Sequence, residues 1–136
     1  MRHSLLAICG AGLLLAVPGC GGSEGNFHQV EGSVTWDGVP LPTGDIVFFP
    51  EEKEFGPDAG KIKDGKYNVK VREGKKRVEI RAVRPVPGKK GPMGEDAIED
   101  YIPEEYNAKT TLTAEVAKGK THFDFPLTTK QESIGD

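Results

Sequence analysis

The sequence predicts an all-β protein, built as a seven-stranded antiparallel β-sandwich. Three observations predict this fold class. Apolar and polar residues alternate along several short segments, with the period of two that is typical of half-buried strands. Turn signals such as Asp37-Gly38 and Asp64-Gly65 recur roughly every 8–12 residues between those segments. No window of about ten residues or more combines a helical period with capping residues.

The first predicted strand shows the alternation most clearly. Val30, Val34 and Trp36 share one face, whereas Glu31 and Ser33 lie on the other. The second strand, over residues 45–50, is apolar on both faces, which is typical of a central strand covered on two sides. The remaining strands are predicted, in order, over residues 59–62, 66–71, 77–83, 110–116 and 121–127.

A hydrophobic core without disulfides is expected to hold the sandwich together. Both cysteines, Cys9 and Cys20, lie near the N-terminus, so neither has a partner in the body of the chain. Burying each large core side chain contributes roughly 1.5–3 kcal/mol. The predicted inward-facing residues are Val30, Val34, Trp36, Ile46, Phe48, Tyr67, Val69, Val78, Ile80, Leu112, Val116, Phe123 and Phe125.

One long connection, Arg84 to Lys109, interrupts the strand pattern. Residues 85–95 are rich in proline, glycine and lysine and are expected to form a mobile loop. Pro103 suits the first position of a single helical turn, which would place Ile102 and Tyr106 on one side, docked on the sandwich. The turn is expected to end at a left-handed Asn107.

The N-terminus carries the features of an export signal. The apolar run of residues 5–17 follows a short polar start and is too short to span a bilayer, which takes about 20 helical residues. The run ends in Val17-Pro18-Gly19-Cys20, which resembles the bacterial lipobox, although Pro18 departs from its usual small residue. The resemblance implies that Cys20 carries lipid after cleavage. An ordinary signal peptide, cut near Ala16 or Gly19, is the alternative.

These features divide the chain into four parts. We expect a lipoprotein signal peptide at residues 1–19, a lipidated Cys20 opening a flexible tether at residues 20–27, the β-sandwich at residues 28–129 and a disordered tail at residues 130–136. The implied location is the cell envelope, with the domain facing the periplasm or the exterior. The membrane, through the lipid at Cys20, and an envelope protein are the expected partners. The net charge of −3 argues against nucleic acid.

Several landmarks resemble one known family. They are the segments Val30-Glu31-Gly32-Ser33-Val34-Thr35-Trp36-Asp37-Gly38-Val39-Pro40-Leu41, Val47-Phe48-Phe49-Pro50, Asp64-Gly65-Lys66-Tyr67, Val78-Glu79-Ile80 and Ile102-Pro103-Glu104-Glu105-Tyr106-Asn107. Over residues 30–127 the chain resembles the carboxypeptidase regulatory-like, or transthyretin-like, β-sandwich of bacterial envelope lipoproteins. The resemblance implies a non-catalytic module with an immunoglobulin-like or transthyretin-like fold, and it supplies no site residues.

The body of the chain offers no motif for catalysis, and we predict no catalytic residue, no metal site and no cofactor. His28 and His122 lack zinc-ligand spacing and are expected to be exposed or capping, the alternative being a pair across neighbouring strands. Ser33 and the strand threonines lack a nucleophile elbow and a free histidine–aspartate partner. The acidic residues between 95 and 105 form a solvated loop or, alternatively, a weak cation site.

The sequence therefore predicts a non-enzymatic envelope lipoprotein whose domain is a structural or protein-interaction module. The alternative is a small-ligand or carbohydrate-binding module with an exposed aromatic face formed by Phe49, Phe55 and Tyr101.

Overall fold

The computed structural model describes residues 25–129, and this part of the chain is all-β, without an α-helix. The predicted signal peptide, Cys20 and the tail at 130–136 lie outside the described residues. One short 3-10 helix spans Glu104–Tyr106. The strands are β1 (Phe27–Trp36), β2 (Val39–Pro40), β3 (Thr43–Pro50), β4 (Asp58–Lys63), β5 (Lys66–Arg72), β6 (Gly74–Arg81), β7 (Val83–Lys90), β8 (Asp96–Asp100), β9 (Thr113–Val116) and β10 (Phe125–Leu127).

Eight strands form one strongly curled sheet, in which seven follow the order β10-β1-β5-β4-β3-β6-β9 and β2 pairs with the end of β1. All pairs are antiparallel except β1 with β10, which is parallel. Residues from both ends of this order, such as Val116 of β9 and Leu127 of β10, belong to one hydrophobic cluster. The sheet therefore encloses a single core, and the predicted all-β, mainly antiparallel architecture is confirmed.

Two tight hairpins confirm the turn signals read from the sequence. Asp37 and Gly38 both have positive φ (50° and 82°), as do Asp64 and Gly65 (50° and 74°). Two successive left-handed residues are the signature of the hairpin turn whose twist matches that of the flanking strands, and Asp-Gly is one of its preferred pairs. These turns join β1 to β2 and β4 to β5, and they set the register of both hairpins.

The predicted core is largely confirmed, with three exceptions. Trp36, Leu112 and Phe123 pack against the core but are only partly buried. Trp36 is the last residue of β1, and its ring makes a T-shaped contact with that of Tyr101. The alternation assigned these residues to the inner face, but it could not show how far the core extends. Further buried residues are Leu41, Ile62, Val71, Ala82, Ile102, Ala114 and Leu127.

The connection between residues 84 and 109 differs from the prediction. Residues 83–100 form a separate two-stranded sheet, β7–β8, instead of an irregular loop. The docking of the turn that follows is confirmed, because Ile102 is buried and Tyr106 packs on the core, but Pro103 is the residue before the short helix and not its first position. Asn107 is not left-handed (φ −131°), and its side-chain amide instead donates to the Ile102 carbonyl (3.1 Å).

The last two predicted strands are also shorter than expected. Residues 110–112 precede β9, where the hydroxyl of Thr110 donates to the Val78 carbonyl (2.7 Å) in place of a strand bond. Residues 121–124 contribute only a bridge at His122, because the ladder beside β1 is interrupted before β10 begins.

A lysine occupies the inner face of β6. Lys76 is 3% exposed, and its side chain forms no hydrogen bond or ion pair with the residues that the structure describes. It lines a small pocket together with Arg72 and Phe55. Burial lowers the pKa of Lys76 below its ordinary value, an effect opposed by the charge of Asp58. The charged form of this side chain is therefore penalised by folding.

We expect Lys76→Met to raise the melting temperature at pH 7 by a few degrees, because it removes that penalty while keeping the buried stem. A lowered folded-state pKa means that the unfolded chain binds more protons between that pKa and about 10.4, so wild-type stability should rise with pH across this interval. In the variant this rise should shrink. Thermal denaturation followed by circular dichroism measures both effects.

The matched control is Lys75→Met, since Lys75 lies on the exposed face of the same strand. Its melting temperature should stay close to that of the wild type. A Lys76→Met protein that melts below the wild type would show that the ammonium is stabilised by its acidic neighbours, and the assignment of a burial penalty would be wrong.

Candidate functional site

The structure brings together a serine, an aspartate and a histidine that the sequence analysis treated as unrelated. Oδ1 of Asp124 accepts hydrogen bonds from the Ser33 backbone N–H (2.8 Å) and hydroxyl (2.9 Å). The same oxygen lies 3.1 Å from Nε2 of His122. The expectation that Ser33 has no histidine–aspartate pair beside it is therefore wrong. The contact joins positions 91 residues apart, and no local spacing could have indicated it.

The backbone explains why these three residues meet. The segment before β10 runs parallel to β1, with Glu31 N–H donating to the Thr121 carbonyl (2.9 Å) and Phe123 N–H donating to the Glu31 carbonyl (3.0 Å). A regular ladder would continue from the Ser33 N–H to the Phe123 carbonyl. That carbonyl instead accepts the Tyr67 hydroxyl (2.5 Å), and the Asp124 carboxylate takes its place as acceptor for Ser33. The Asp124 carboxylate thus supplies an acceptor for the Ser33 N–H where the ladder beside β1 is interrupted.

This arrangement cannot activate the serine as a nucleophile. A catalytic serine needs its hydroxyl bonded to the base that takes its proton, with the acid on the far side of that base. Here the carboxylate stands between the hydroxyl and the imidazole. The hydrogen bonds from Ser33, followed by the smaller influence of His122, hold the pKa of Asp124 below its usual range, which makes it a poor base.

Tyr67 belongs to the same structural unit. Its ring stacks with Phe125 at 6.2 Å between centroids, and its hydroxyl reaches the Phe123 carbonyl. Burial, with a further contribution from the charge of Asp124, raises the pKa of Tyr67 well above its ordinary value. This hydroxyl therefore stays protonated at any physiological pH and acts as a hydrogen-bond donor rather than as an acid–base group.

The remaining titratable candidates do not converge. His28 bonds to Glu73 (2.8 Å), while His122 bonds to Asp124, so each histidine has its own carboxylate. The acidic stretch is likewise divided among separate ion pairs, with Asp96 held by Lys90, Glu99 by Arg84 and Glu104 by Lys109. Within residues 25–129, no group of three or more histidine, cysteine or acidic side chains is placed to hold a metal ion.

The three aromatic residues suggested as a ligand platform lie under three different arginines. Arg77 stacks over Phe49 (5.0 Å), Arg72 over Phe55 (4.2 Å) and Arg84 over Tyr101 (5.1 Å). A guanidinium on a ring occupies the face on which a sugar would stack. Phe49 is on β3, Phe55 in the β3–β4 loop and Tyr101 after β8, so the three do not share one strand or loop. The ring contacts of the described residues include none between any two of them.

A broad polar depression lies over the outer face of β1, β5 and β4. It encloses about 780 Å³ and is open to solvent. Lys63, Lys66 and Asn68 line it on one side, and Ser33 and Asp124 on the other. These groups offer hydrogen bonds to a polar ligand. Tyr67 and His122 contribute the rings of the lining, and the Tyr67 hydroxyl is already bonded to the Phe123 carbonyl.

Three of the four exposed large apolar residues in the described part of the chain lie on the β7–β8 hairpin. Ile98 is 65% exposed, Met93 94% and Val83 48%, and Val39 of β2 is 63% exposed. The hairpin is a sheet of its own, whose two strands pair only with each other among the described residues. Two-stranded ribbons are marginally stable in water unless a further strand or surface covers them.

The base of the hairpin is anchored firmly. Tyr101 N–H donates to the Ala82 carbonyl (3.2 Å), and the Tyr101 ring meets Trp36 at 5.9 Å with the planes at 76°. Arg84 bonds to Glu99 (2.7 Å) across the two strands. The hairpin is therefore presented by a fixed base rather than by a loose loop.

Fold and site together define an all-β domain with one curled sheet and a separate two-stranded hairpin. Comparison with known proteins found no matching family model, no matching curated protein and no matching solved structure. None of the helices in the described part of the chain has the length and apolar character needed to cross a membrane.

Proposed function

We propose that this chain is a non-catalytic cell-envelope lipoprotein, anchored by lipid at Cys20 and carrying a carboxypeptidase regulatory-like β-sandwich as a protein-interaction module. The lipobox-like Val17-Pro18-Gly19-Cys20 supports the anchor. The domain's first strand begins at Phe27, only seven residues after Cys20. The two Asp-Gly hairpins support the family assignment, because they stand where the resemblance places its turns.

The observation that carries the proposal is the position of the hairpin relative to the anchor. β1 starts at Phe27 and ends at Trp36, and ten residues of strand extend about 30 Å at roughly 3.3 Å per residue. Trp36 contacts Tyr101 at the base of the hairpin. The anchor thus enters at one end of β1, and the hairpin projects at the other.

This geometry suits display away from a membrane. A chain of seven residues reaches at most about 25 Å when fully extended. With Cys20 in the lipid, the Phe27 end of the domain stays within that distance of the surface. The hairpin, at the far end of β1, then faces away from the membrane, where a partner in the envelope can reach it.

We base the proposed absence of catalysis on the contacts among Ser33, Asp124 and His122. Its carboxylate bonds to the hydroxyl directly and so leaves the serine without a base. The pKa of Asp124 is lowered, which further weakens it as a proton acceptor. The same contacts have a sufficient structural explanation in the interrupted ladder beside β1.

Cys20→Ala tests the anchor. We expect the wild-type chain, expressed in a bacterial host, to be found in the membrane fraction with its mature N-terminal residue carrying diacylglycerol. The variant should remain an unprocessed precursor without lipid, because the thiol is the attachment point. Mass spectrometry of the N-terminal peptide measures both the cleavage site and the added mass.

The control is Cys9→Ala, which alters the other cysteine within the predicted signal peptide and should be processed and lipidated as the wild type is. A wild-type protein with a free thiol at Cys20, or cleaved elsewhere, would contradict the proposal of a lipoprotein.

A second candidate function, binding of a small polar ligand, is favoured by the depression over β1, β5 and β4. Its lining offers the Lys63 and Lys66 ammonium groups and the Asn68 amide within one open space. Titration with neutral and acidic sugars, followed by chemical-shift changes at these residues, tests this function. Saturable shifts confined to the depression would support ligand binding over protein interaction.

A further inference from the structure

The β7–β8 hairpin presents one strand edge that is free to pair. Tyr101 N–H donates to the Ala82 carbonyl, so positions 82 and 101 form a hydrogen-bonded pair. Bonded and non-bonded pairs alternate along an antiparallel ladder. The pairs Val83–Asp100 and Pro85–Ile98 are therefore non-bonded, which agrees with the missing N–H of Pro85.

The consequence is that the backbone groups of Ile98 and Asp100 point away from β7. No other strand of residues 25–129 pairs with this side of β8. The opposite edge, on β7, is protected by Pro85 and Pro87, which have no N–H to offer. The hairpin thus has one closed edge and one open edge.

The open edge of β8 carries one exposed apolar side chain among acidic ones. Edge strands normally carry charges that discourage pairing, and Asp96, Glu99 and Asp100 would repel a second copy of β8. The same charges favour a basic partner strand, and Ile98 at the centre of β8 is 65% exposed. Asp100 follows on the same face; its Oδ1 accepts the Ile102 N–H (3.1 Å), and its Oδ2 lies 3.9 Å from the Arg81 guanidinium. Glu99, on the other face, is already neutralised by Arg84.

We propose that β8 binds an extended segment of a partner protein, which adds as a third strand and carries an apolar side chain and a basic one two residues apart. The apolar side chain would cover Ile98, and the basic one would meet the Asp100 carboxylate, because residues two apart share a face of a strand. This inference rests on the proposed interaction function and specifies its partner. Strand addition of this kind takes affinity from backbone bonds and specificity from alternate side chains.

The test uses the full-length, detergent-solubilised protein and a synthetic peptide of about ten residues in which every second residue is alternately valine and lysine, with threonine between them, so that valine and lysine share one face. We expect saturable binding, measured by fluorescence anisotropy, and slower hydrogen exchange at the amides of Ile98 and Asp100 in the complex. A matched peptide with glutamate in place of each lysine should bind at least tenfold more weakly, since its charges would oppose Asp100.

Ile98→Pro is the decisive variant. It removes the outward N–H without breaking a bond inside the hairpin, because position 98 belongs to a non-bonded pair. We expect it to weaken peptide binding about tenfold, the effect of losing roughly one backbone hydrogen bond and its apolar contact. Ile98→Thr keeps the N–H and should lose less affinity for the peptide. Asp100→Asn should reduce the preference for the lysine peptide over the glutamate peptide. Unchanged Trp36 fluorescence shows that the hairpin base is intact.

Three results would overturn the inference. The first is lysine-peptide binding that Ile98→Pro leaves unchanged, which would indicate attraction to the acidic surface in general. The second is unaltered exchange at Ile98 and Asp100 under saturating peptide. The third is self-association that Ile98→Pro abolishes, which would make the edge an interface between two copies of this chain. None of these results depends on Cys20. The proposal of a lipid anchor and the proposal of peptide binding at β8 are therefore tested separately.

Discussion

Replacing Gly32 by alanine is expected to destabilise the domain by about 3 kcal/mol or more, at the upper end of overpacking effects. Gly32 lies on β1, against the segment that precedes β10 and runs parallel to β1. A Cβ at this position would overlap the Phe123 carbonyl oxygen and lie 2.7 Å from its carbonyl carbon. It would also come within 2.9 Å of the Tyr67 hydroxyl. Urea denaturation followed by Trp36 fluorescence measures the free energy of unfolding.

The large effect follows from the rigidity of the atoms in the way. Two of the three closest atoms belong to the backbone, which cannot move without breaking the bond from Tyr67 and the neighbouring ladder. Gly56→Ala is the control, because a Cβ there meets nothing within 4 Å, and its change should stay within about 0.5 kcal/mol. If the Gly32→Ala protein is as stable as this control, the parallel segment does not lie against β1 at Gly32.

Phe48→Ala is the second substitution with a large expected effect, a loss of about 3–5 kcal/mol. Phe48 is fully buried in the centre of β3, and its ring lies 6.1 Å from that of Tyr67. Removing the ring leaves a cavity between strands that are fixed by pairing on both sides, so the core can collapse only partly. Equilibrium unfolding in urea gives the difference in free energy.

Phe49→Ala provides the matched control, because the adjacent ring faces outward and is only half-buried beneath Arg77. We expect it to cost about 1–2 kcal/mol, from lost area and the lost contact with the guanidinium. A shift of one residue in strand register would exchange the two faces. A larger loss for Phe49→Ala than for Phe48→Ala would therefore contradict the register of β3.

The buried Lys76 and the partly buried Trp36 show the limits of alternation as a predictor. Counting back from Val78 places Lys76 on the inner face, so its burial could have been predicted from register alone. Trp36 continues the row of Val30 and Val34, yet it is only partly buried at the last position of β1. Alternation identifies a face, but the extent of the core depends on how the sheet curls.

The β7–β8 hairpin was missed for a related reason. A strand can be predicted from a sequence when one of its faces is buried and the other is exposed to solvent, because its residues then alternate between apolar and polar. Neither face of this ribbon is buried, and Pro85, Pro87 and Gly88 are typical of loops. No alternation was therefore available, and the pairing became visible only in three dimensions.

The sequence by itself determined the all-β class, the two Asp-Gly turns, most of the core and the prediction of a lipid anchor at Cys20, because these depend on local backbone preferences, on the period of two and on a contiguous motif. The tertiary structure alone decided the parallel pairing of β10 with β1, the Ser33–Asp124 contact and the open edge at Ile98. The first two features join residues far apart in the chain, and the third depends on no other strand pairing with β8. Neither kind of feature produces a repeating pattern in the sequence.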